Sequence, residues 1–248
     1  MQELKISLIT VSFNAEKTIG RCIQSVINQS YPNVEYIVID GNSTDKTCQI
    51  ISKYRGHIQL FISEPDRGVY DAMNKGIKIA TGDIIGMLNS DDFFASDNIL
   101  LNVADAFGQH SIRILYGDLD YVNAAGKVIR KWRSGNYAKS AFNRGWMPPH
   151  PTFYCKKELF YEFGFYSLDY GTAADYELMT RFMFKNNIDA FYLQRVMVKM
   201  ELGGKSNKSL TNRVKASLND LRAMKINDIK NPWLVMFFKP LGKISQYF

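Results

Sequence analysis

The sequence predicts an α/β fold, a mostly parallel twisted sheet flanked by helices, followed by a basic helical C-terminal tail. Three observations lead there. Short apolar runs alternate with segments of helical periodicity through the first third of the chain, as in βαβ units. The residues that end those runs are chemically distinctive: Phe13, Asp40, Asp66-Arg67 and Asp91-Asp92. In open sheets of this kind ligands bind outside the carboxyl ends of the strands, where all four points fall. Finally, 248 residues with 46% hydrophobic content suffice for one full core and an appendage.

Leu4 to Val11 is the first strand, and Ser12-Phe13-Asn14 its exit turn. Ala15 to Gln29 carries apolar residues at Ile19, Cys22, Ile23, Val26 and Ile27, a helical spacing. Tyr31-Pro32-Asn33 breaks that helix before a second buried strand, Tyr36 to Ile39, which Asp40 ends. Asn42 or Ser43 is placed to cap the next helix, which runs to about Lys53. A third strand, Ile58 to Ile62, leads into the most informative stretch, SEPDRGVYDAMNKGIKIATGDIIGMLNSDDFF from Ser63 to Phe94. This reads as turn, helix, turn and a strand buried on both faces, Ile84 to Leu88, ending in Asp91 and Asp92. Two adjacent carboxylates at a strand end repel each other and lose hydration. A bound cation relieves both penalties, and hard oxygen ligands suit Mg²⁺ or Mn²⁺.

Ile112 to Asp118 and Lys127 to Trp132 are two further strands, with Asn123 to Gly126 as the turn between them. The Arg130-Lys131-Trp132-Arg133 run, near Tyr137 and Trp146, lies in no recognised nucleic-acid module and reads as an acceptor-side loop or a solvated strand edge; no nucleic-acid partner is expected. Pro148-Pro149-His150-Pro151 reads as a stiff, exposed turn. Cys22, Cys48 and Cys155 form no CxxC or metal cluster and are expected to be reduced. Neither a signal-peptide pattern nor a run of about 20 apolar residues is found, so a cytoplasmic protein with no membrane span is expected.

Charge is unevenly placed. Residues 1–194 hold 20 Lys/Arg and 21 Asp/Glu, whereas 195–248 hold 11 and 3, so the tail carries all the excess of a +7 chain. Leu210 to Met224 reads as a basic amphipathic helix, and Pro232 to Lys243 mixes Trp233, Phe237 and Phe238 with lysines. That mixture suits contact with an anionic membrane surface, against the alternative of a tail packed on the domain or on a second copy in a homodimer.

The pieces ITVSFNAEKTI, YIVIDGNSTDKT, EPDRGVYDAMNKGIKIATGDIIGMLNSDD, GTAADYELMTRF and ELGGKS occur in order over residues 4 to 206. Together they resemble the family 2 glycosyltransferases and their GT-A nucleotide-sugar-binding fold, most closely the bacterial enzymes of O-antigen and surface-polysaccharide synthesis. The resemblance implies a catalytic domain over 1–206, with a nucleotide-binding half (1–94), an acceptor half (95–206) and a tail over 207–248. It implies that Asp40 accepts from the uracil N–H and Phe13 stacks on the base. Asp91 lies near ribose and metal, and Asp92 coordinates the Mn²⁺ or Mg²⁺ that bridges the diphosphate. Arg67, Asn74 and Lys75 are further donor contacts. Asp175 is the base that takes the acceptor proton, and His150 lies beside the active site, with His150 and Lys205 the candidates on the acceptor side or behind the site. Three departures stand out: Asn89 occupies a usual Asp position before the carboxylate pair, Met73 stands before Asn74 where an Arg is frequent, so that Lys75, Arg67 or Lys205 would have to anchor the diphosphate, and Ala174 replaces the first acid of a Glu-Asp pair.

The expected activity is inverting transfer from a UDP-sugar, with UDP-galactose the first candidate, to a polyprenyl-diphosphate-linked sugar on the inner face of a bacterial membrane. The alternatives are transfer directly to polyprenyl phosphate, or a non-catalytic nucleotide-sugar-binding protein.

Overall fold

The computed structural model describes residues 4–201, 210–239 and 246. Its first half follows the expected alternation: β1 (Ile6–Ser12), α1 (Ile19–Ile27), β2 (Val34–Asp40), α2 (Thr47–Ser52), β3 (Leu60–Ser63), α3 (Val69–Ile79) and β4 (Ile84–Met87). These four strands pair in parallel in the order β3-β2-β1-β4, so Ser12, Asp40 and Ser63 finish at one edge. Alternating residues of β1 serve two cores. Ile6 and Leu8 pack with Ile19, Ile23 and Val38 on the α1 side, while Ile9 and Val11 pack with Met73 and Ile77 on the α3 side. Gly76 lets α3 lie close on the sheet, since a Cβ there would come within 2.6 Å of Ile9 Cγ2.

The second half departs from the mostly parallel expectation, and the sheet is mixed. It adds β5 (Asp92–Phe94), α4 (Ile99–Gln109), β6 (Ile114–Val122), β7 (Val128–Trp132), β8 (Tyr154–Lys156), α5 (Glu158–Phe163), α6 (Ala174–Met179) and β9 (Ala190–Glu201). β8 is antiparallel to both β4 and β6, β6 pairs in parallel with β9, and β5 and β7 are antiparallel additions to β9 and β6. The reason lies in the route of the chain. His150–Thr152 approaches from the carboxyl edge, so β8 can only run back against β4. The sheet curls until β5, at the far end of the pairing order, meets α1. There Ser25 Oγ accepts from Phe94 N at 3.2 Å, and the Arg21 guanidinium stands over the Phe93 ring at 4.3 Å.

The tail is helical, as expected, in α7 (Leu210–Ile226) and α8 (Pro232–Phe238), and its described part takes up the alternative of packing on the rest of the chain. Ala223, Met224, Ile229 and Val235 are buried in the same core as Leu178, Met179 and Phe182. Asn227, itself buried, donates to Glu177 Oε1 at 3.2 Å, and Lys239 Nζ lies 3.9 Å from the Tyr176 ring centroid while pairing with Asp220 at 2.7 Å. An apolar face remains outward, with Trp233 60% and Phe237 70% exposed beside Leu234. No helix among the described residues is long and apolar enough to cross a membrane. The cysteines are free, with Cys22 and Cys155 buried.

Candidate active site

Three strand ends meet at Asp40. Its carboxylate is fully buried and accepts from Ser12 Oγ (2.9 Å), Ser43 N (2.8 Å), Ser43 Oγ (2.5 Å), Ser63 Oγ (2.8 Å) and Cys48 Sγ (3.3 Å). Burial alone would raise its pKa, but the Ser43, Ser63 and Ser12 donors outweigh it and hold the group below the ordinary value. A carboxylate offers about four lone-pair sites, and here five donors occupy them. Asp40 therefore ties β1, β2 and β3 together, and a base N–H reaches it only by displacing a hydroxyl. Ser43 is thereby drawn away from α2, whose start is instead held by Asp45 Oδ1 accepting from Thr47 N at 2.9 Å. Asn14 and Asn42 turn the chain at the ends of β1 and β2 in the left-handed region, φ 49° and 63°.

The loop from Glu64 to Gly68 lies beside this edge, and Gly41 makes room for it: a Cβ there would collide with the Asp66 carboxylate. Arg67 and Lys75 are held locally. The Arg67 amide and guanidinium donate to Asp71 at 3.0 and 3.2 Å, and Lys75 Nζ donates to Pro65 O at 2.8 Å and pairs with Glu64 at 2.7 Å. Asn74 is not turned to this loop. Its Nδ2 donates to Tyr166 O at 2.8 Å and its Oδ1 accepts from Tyr166 N at 3.0 Å, so both functions of the amide are spent on one backbone unit 92 residues away. Asn74 thereby clamps the Tyr166 backbone to α3.

Phe13, just past the end of β1, is 56% exposed. Asp91 is half-buried, whereas Asp92 is fully buried on β5. Asp92 Oδ2 accepts from Asn89 Nδ2 at 2.9 Å, and Asp92 Oδ1 has no partner. Burial, and then the charge of Asp91, push the Asp92 pKa well above the ordinary value. An orphaned buried oxygen beside a second carboxylate fits a divalent cation. No group of three His, Cys, Asp or Glu that could hold a metal occurs among the described residues. Asp91 and Asp92 together would supply two oxygen ligands at most beside waters and phosphate oxygens. Asp91 is the carboxylate that can reach solvent and Asp92 the one behind it.

The second group of residues surrounds Asp175, the second residue of α6. Asp175 Oδ1 accepts from Tyr176 N at 2.7 Å, so its orientation is set by the helix start. Glu177 does not face the same way. It is buried and paired with Arg181 at 3.0 Å, whose guanidinium also donates to the carbonyls of Phe163, Gly164 and Phe165. The charge of Asp175 bears on Tyr70 of α3 and on His150. His150 shares a 2.8 Å hydrogen bond between its Nε2 and Tyr166 Oη. Contrary to the sequence expectation, the 148–151 turn is buried, because Thr152 ties it to Gly117 O at 3.1 Å. Burial lowers the His150 pKa despite Asp175, which keeps the imidazole neutral.

Tyr70 and Tyr166 were not singled out by the sequence. Tyr70 lies inside the DRGVYDAMNKG segment and was within reach of that signal, whereas nothing local marks Tyr166. Lys205 lies outside the described residues. Arg133 of the basic run is engaged by Asp120 at 2.7 Å, and β7 is a strand edge, as read from the sequence. A cavity of about 500 Å³ lined by Arg113, Glu162, Asn187 and Asp189 lies at the amino-terminal ends of β6 and β9, the opposite edge from the carboxylates.

The sequence profile described as Glycosyl transferase family 2 matches residues 7–171. An uncharacterized glycosyltransferase of Mycobacterium tuberculosis is 33% identical over 186 residues, 71% of this chain and 68% of the relative. A PGL/p-HBAD biosynthesis glycosyltransferase of Mycobacterium bovis is 29% identical over 206 residues, 81% of this chain and 78% of the relative. Among solved structures, TarS residues 1–349 of S. aureus with UDP-GlcNAc superposes with a TM-score of 0.69 at 20% identity, covering 90% of this chain and 71% of that one. The chain spans 39% of another TarS structure. The mannosyltransferase PcManGT of Pyrobaculum calidifontis, in complex with GDP-Man and Mn²⁺, gives 0.69 at 17% identity, covering 97% and 70%.

Proposed function

The chain belongs to glycosyltransferase family 2, and from that premise we propose that it moves a hexose from a UDP-sugar, with inversion, onto a polyprenyl-diphosphate-linked sugar in bacterial surface-polysaccharide synthesis. One observation carries this reading. Tyr70, the second residue of α3, the helix that follows the donor-side loop, donates to the Thr172 carbonyl at 3.4 Å, three residues before Asp175 at the start of α6. That brings the start of α6 beside the helix after the donor-side loop, and this proximity supports Asp175 as the base.

Phe13 offers its exposed ring to the base of the donor, a contact of about 1–3 kcal/mol by analogy with base stacking elsewhere. Asp40 shapes the base pocket through the serines it holds. Asp175 takes the acceptor proton as the oxygen attacks the anomeric carbon, a general-base contribution of about 10²–10⁴-fold. Asp91 and Asp92 would hold a divalent cation, which would neutralise charge on the departing diphosphate. The neutral His150 and its partner Tyr166 wall the base side. UDP-GlcNAc in the TarS complex supports a UDP donor and brings UDP-N-acetylhexosamines into the screen beside UDP-galactose. Trp233, Leu234 and Phe237, with Lys225 and Lys230 nearby in sequence, form the face assigned to an anionic membrane at the cytoplasmic side.

The test is UDP or GDP release with and without a synthetic lipid-linked acceptor. Asp175→Asn should lower kcat by at least about 10²-fold while UDP affinity stays near wild type. EDTA should stop turnover and Mn²⁺ or Mg²⁺ restore it. Activity surviving in Asp175→Asn removes the base, full turnover in EDTA removes the metal, release of GDP from a GDP-sugar removes the UDP donor, and no acceptor-dependent release of UDP or GDP with any donor leaves only nucleotide-sugar binding.

A further inference from the structure

We propose that Cys22 is a positioning residue for the carboxylate turn: its thiol, delivered from the buried face of α1, holds the Asn89 carbonyl and through it sets the place of Asp91 and Asp92. The proposal rests on the reading of that pair as the cation's carboxylates.

The turn from Asn89 to Asp92 is closed twice. Asp92 N donates to Asn89 O at 3.0 Å, and Asn89 Nδ2 donates to Asp92 Oδ2 at 2.9 Å. Asn89 thus fixes both the backbone and the side chain of Asp92, so whatever fixes Asn89 fixes the turn. Its carbonyl takes a further donor from α1, Cys22 Sγ at 3.3 Å.

Cys22 is fully buried in the core that also holds Ile23, Leu88 and Phe94. Two further polar groups that the reaction does not use lie with it, Thr10 of β1 and Tyr36 of β2, both buried. Counting protons gives each one role. Tyr36 Oη donates to Thr10 Oγ1 at 3.1 Å, and Thr10 Oγ1 lies 3.8 Å from Cys22 Sγ. The thiol has one proton and Asn89 O takes it, so at the Thr10 contact the hydroxyl donates and the sulfur accepts. Donation runs one way, from Tyr36 to Thr10 to Cys22 to Asn89 O, and ends at the turn. Burial pushes the Cys22 thiol up to about 12, so at neutral pH it keeps the proton that it donates. Polar groups sunk in a core cost stability that apolar residues of the same shape would not. Here the last bond of the chain lands on the segment that carries both carboxylates.

The neighbouring residues of α1 act on the other side of that segment. Arg21 stands over the Phe93 ring, and Ser25 Oγ accepts from Phe94 N while donating to Cys22 O at 2.7 Å. α1 therefore grips the chain at Asn89, before the two carboxylates, and at Phe93 and Phe94, after them. Cys22 supplies the hold on the turn itself.

The experiment is Mn²⁺ binding to the full chain, read from the EPR signal of the free ion, beside the melting temperature. Cys22→Ala removes the donor and should raise the Mn²⁺ Kd about tenfold, the lower end of the range for groups that orient metal ligands. Thr10→Val is the control for general loosening. It leaves the Tyr36 hydroxyl without its acceptor and should lower the melting temperature at least as much as Cys22→Ala. The thiol there keeps its proton and its bond to Asn89, so the Mn²⁺ Kd should stay within about twofold of wild type. Cys22→Val, which fills the space without a donor, gives the same reading where Cys22→Ala fails to fold. An unchanged Mn²⁺ Kd on loss of the thiol, or a Thr10→Val protein that loses Mn²⁺ as severely, overturns the proposal. A wild-type chain that takes up no Mn²⁺ is a distinct result, which removes the metal reading and the proposal with it.

Discussion

Replacing Asp40 with Asn separates a structural hub from a simple nucleotide contact. The side chain keeps its shape, but one acceptor oxygen becomes a donor and the charge is lost. The amide can turn its nitrogen toward Ser12 and the Ser43 hydroxyl, which rotate to accept, leaving an oxygen for Ser43 N, Ser63 and Cys48. All five bonds then lose charge assistance, at about 1 kcal/mol each. Relief from burying a charge offsets part of this, leaving a net cost of about 3 kcal/mol. With a urea slope of about 3 kcal/mol/M, the unfolding midpoint should fall by about 1 M. Unfolding followed by tryptophan fluorescence, together with UDP calorimetry below the transition, measures both consequences. The sign with pH is fixed too. The depressed pKa of Asp40 adds stability above its unfolded value that disappears as pH falls through the folded one, so Asp40→Asn should flatten that part of the acid limb of stability. An unchanged midpoint with lost UDP affinity would refute the hub and return Asp40 to direct base recognition.

Glu35, buried at the start of β2, takes the Ser7 hydroxyl, the Thr81 amide and hydroxyl, and Lys5 Nζ. Burial pushes its pKa up but those donors prevail and bring it from 4.5 to about 2. The group therefore contributes about 3 kcal/mol that is complete above pH about 4.5 and lost toward pH 2, and Glu35→Gln should abolish that dependence in acid unfolding. In the tail, replacing exposed Trp233, Leu234 and Phe237 together with Ser should abolish binding to anionic vesicles while leaving the melting temperature near wild type. Truncation at Asn231 should instead lower stability and also transfer to a soluble acceptor, because Val235 and Lys239 pack against the core and α6. Vesicle binding that survives the triple replacement would remove the membrane face.

The parallel half of the fold was legible because each of its strands is a self-contained apolar run closed by a polar residue. The antiparallel half was not. β8 and β5 are three residues each, and their places depend on the curl of the sheet rather than on any local pattern. β9 runs for twelve residues with only Met197 and Val198 buried, so its sequence, AFYLQRVMVKME, lacks the continuous apolar signal of β1. Which side of the tail packs inward was illegible for a related reason. A mixture of aromatics and lysines describes both an interfacial helix and a helix that buries Val235 on one side and exposes Trp233 on the other, and composition cannot say which side faces inward.

At the site, residue type was legible and commitment was not. Asn74 and Lys75 are adjacent polar residues on one helix, yet they turn to opposite loops, and only the packing of α3 decides which. The same holds for the departure at Asn89. As a substitute for a carboxylate it looked like a loss of metal-binding charge. In the fold it donates to Asp92 and offsets part of the penalty of burying that carboxylate next to Asp91. An Asp at position 89 would place a third negative charge on a group whose pKa is already raised by burial and by Asp91. Asn89→Asp should therefore weaken the protein without a cation and gain more from added Mn²⁺ than the wild type does, read as the shift in melting temperature with metal. An equal shift in both proteins would mean that Asn89 has no electrostatic part in the site.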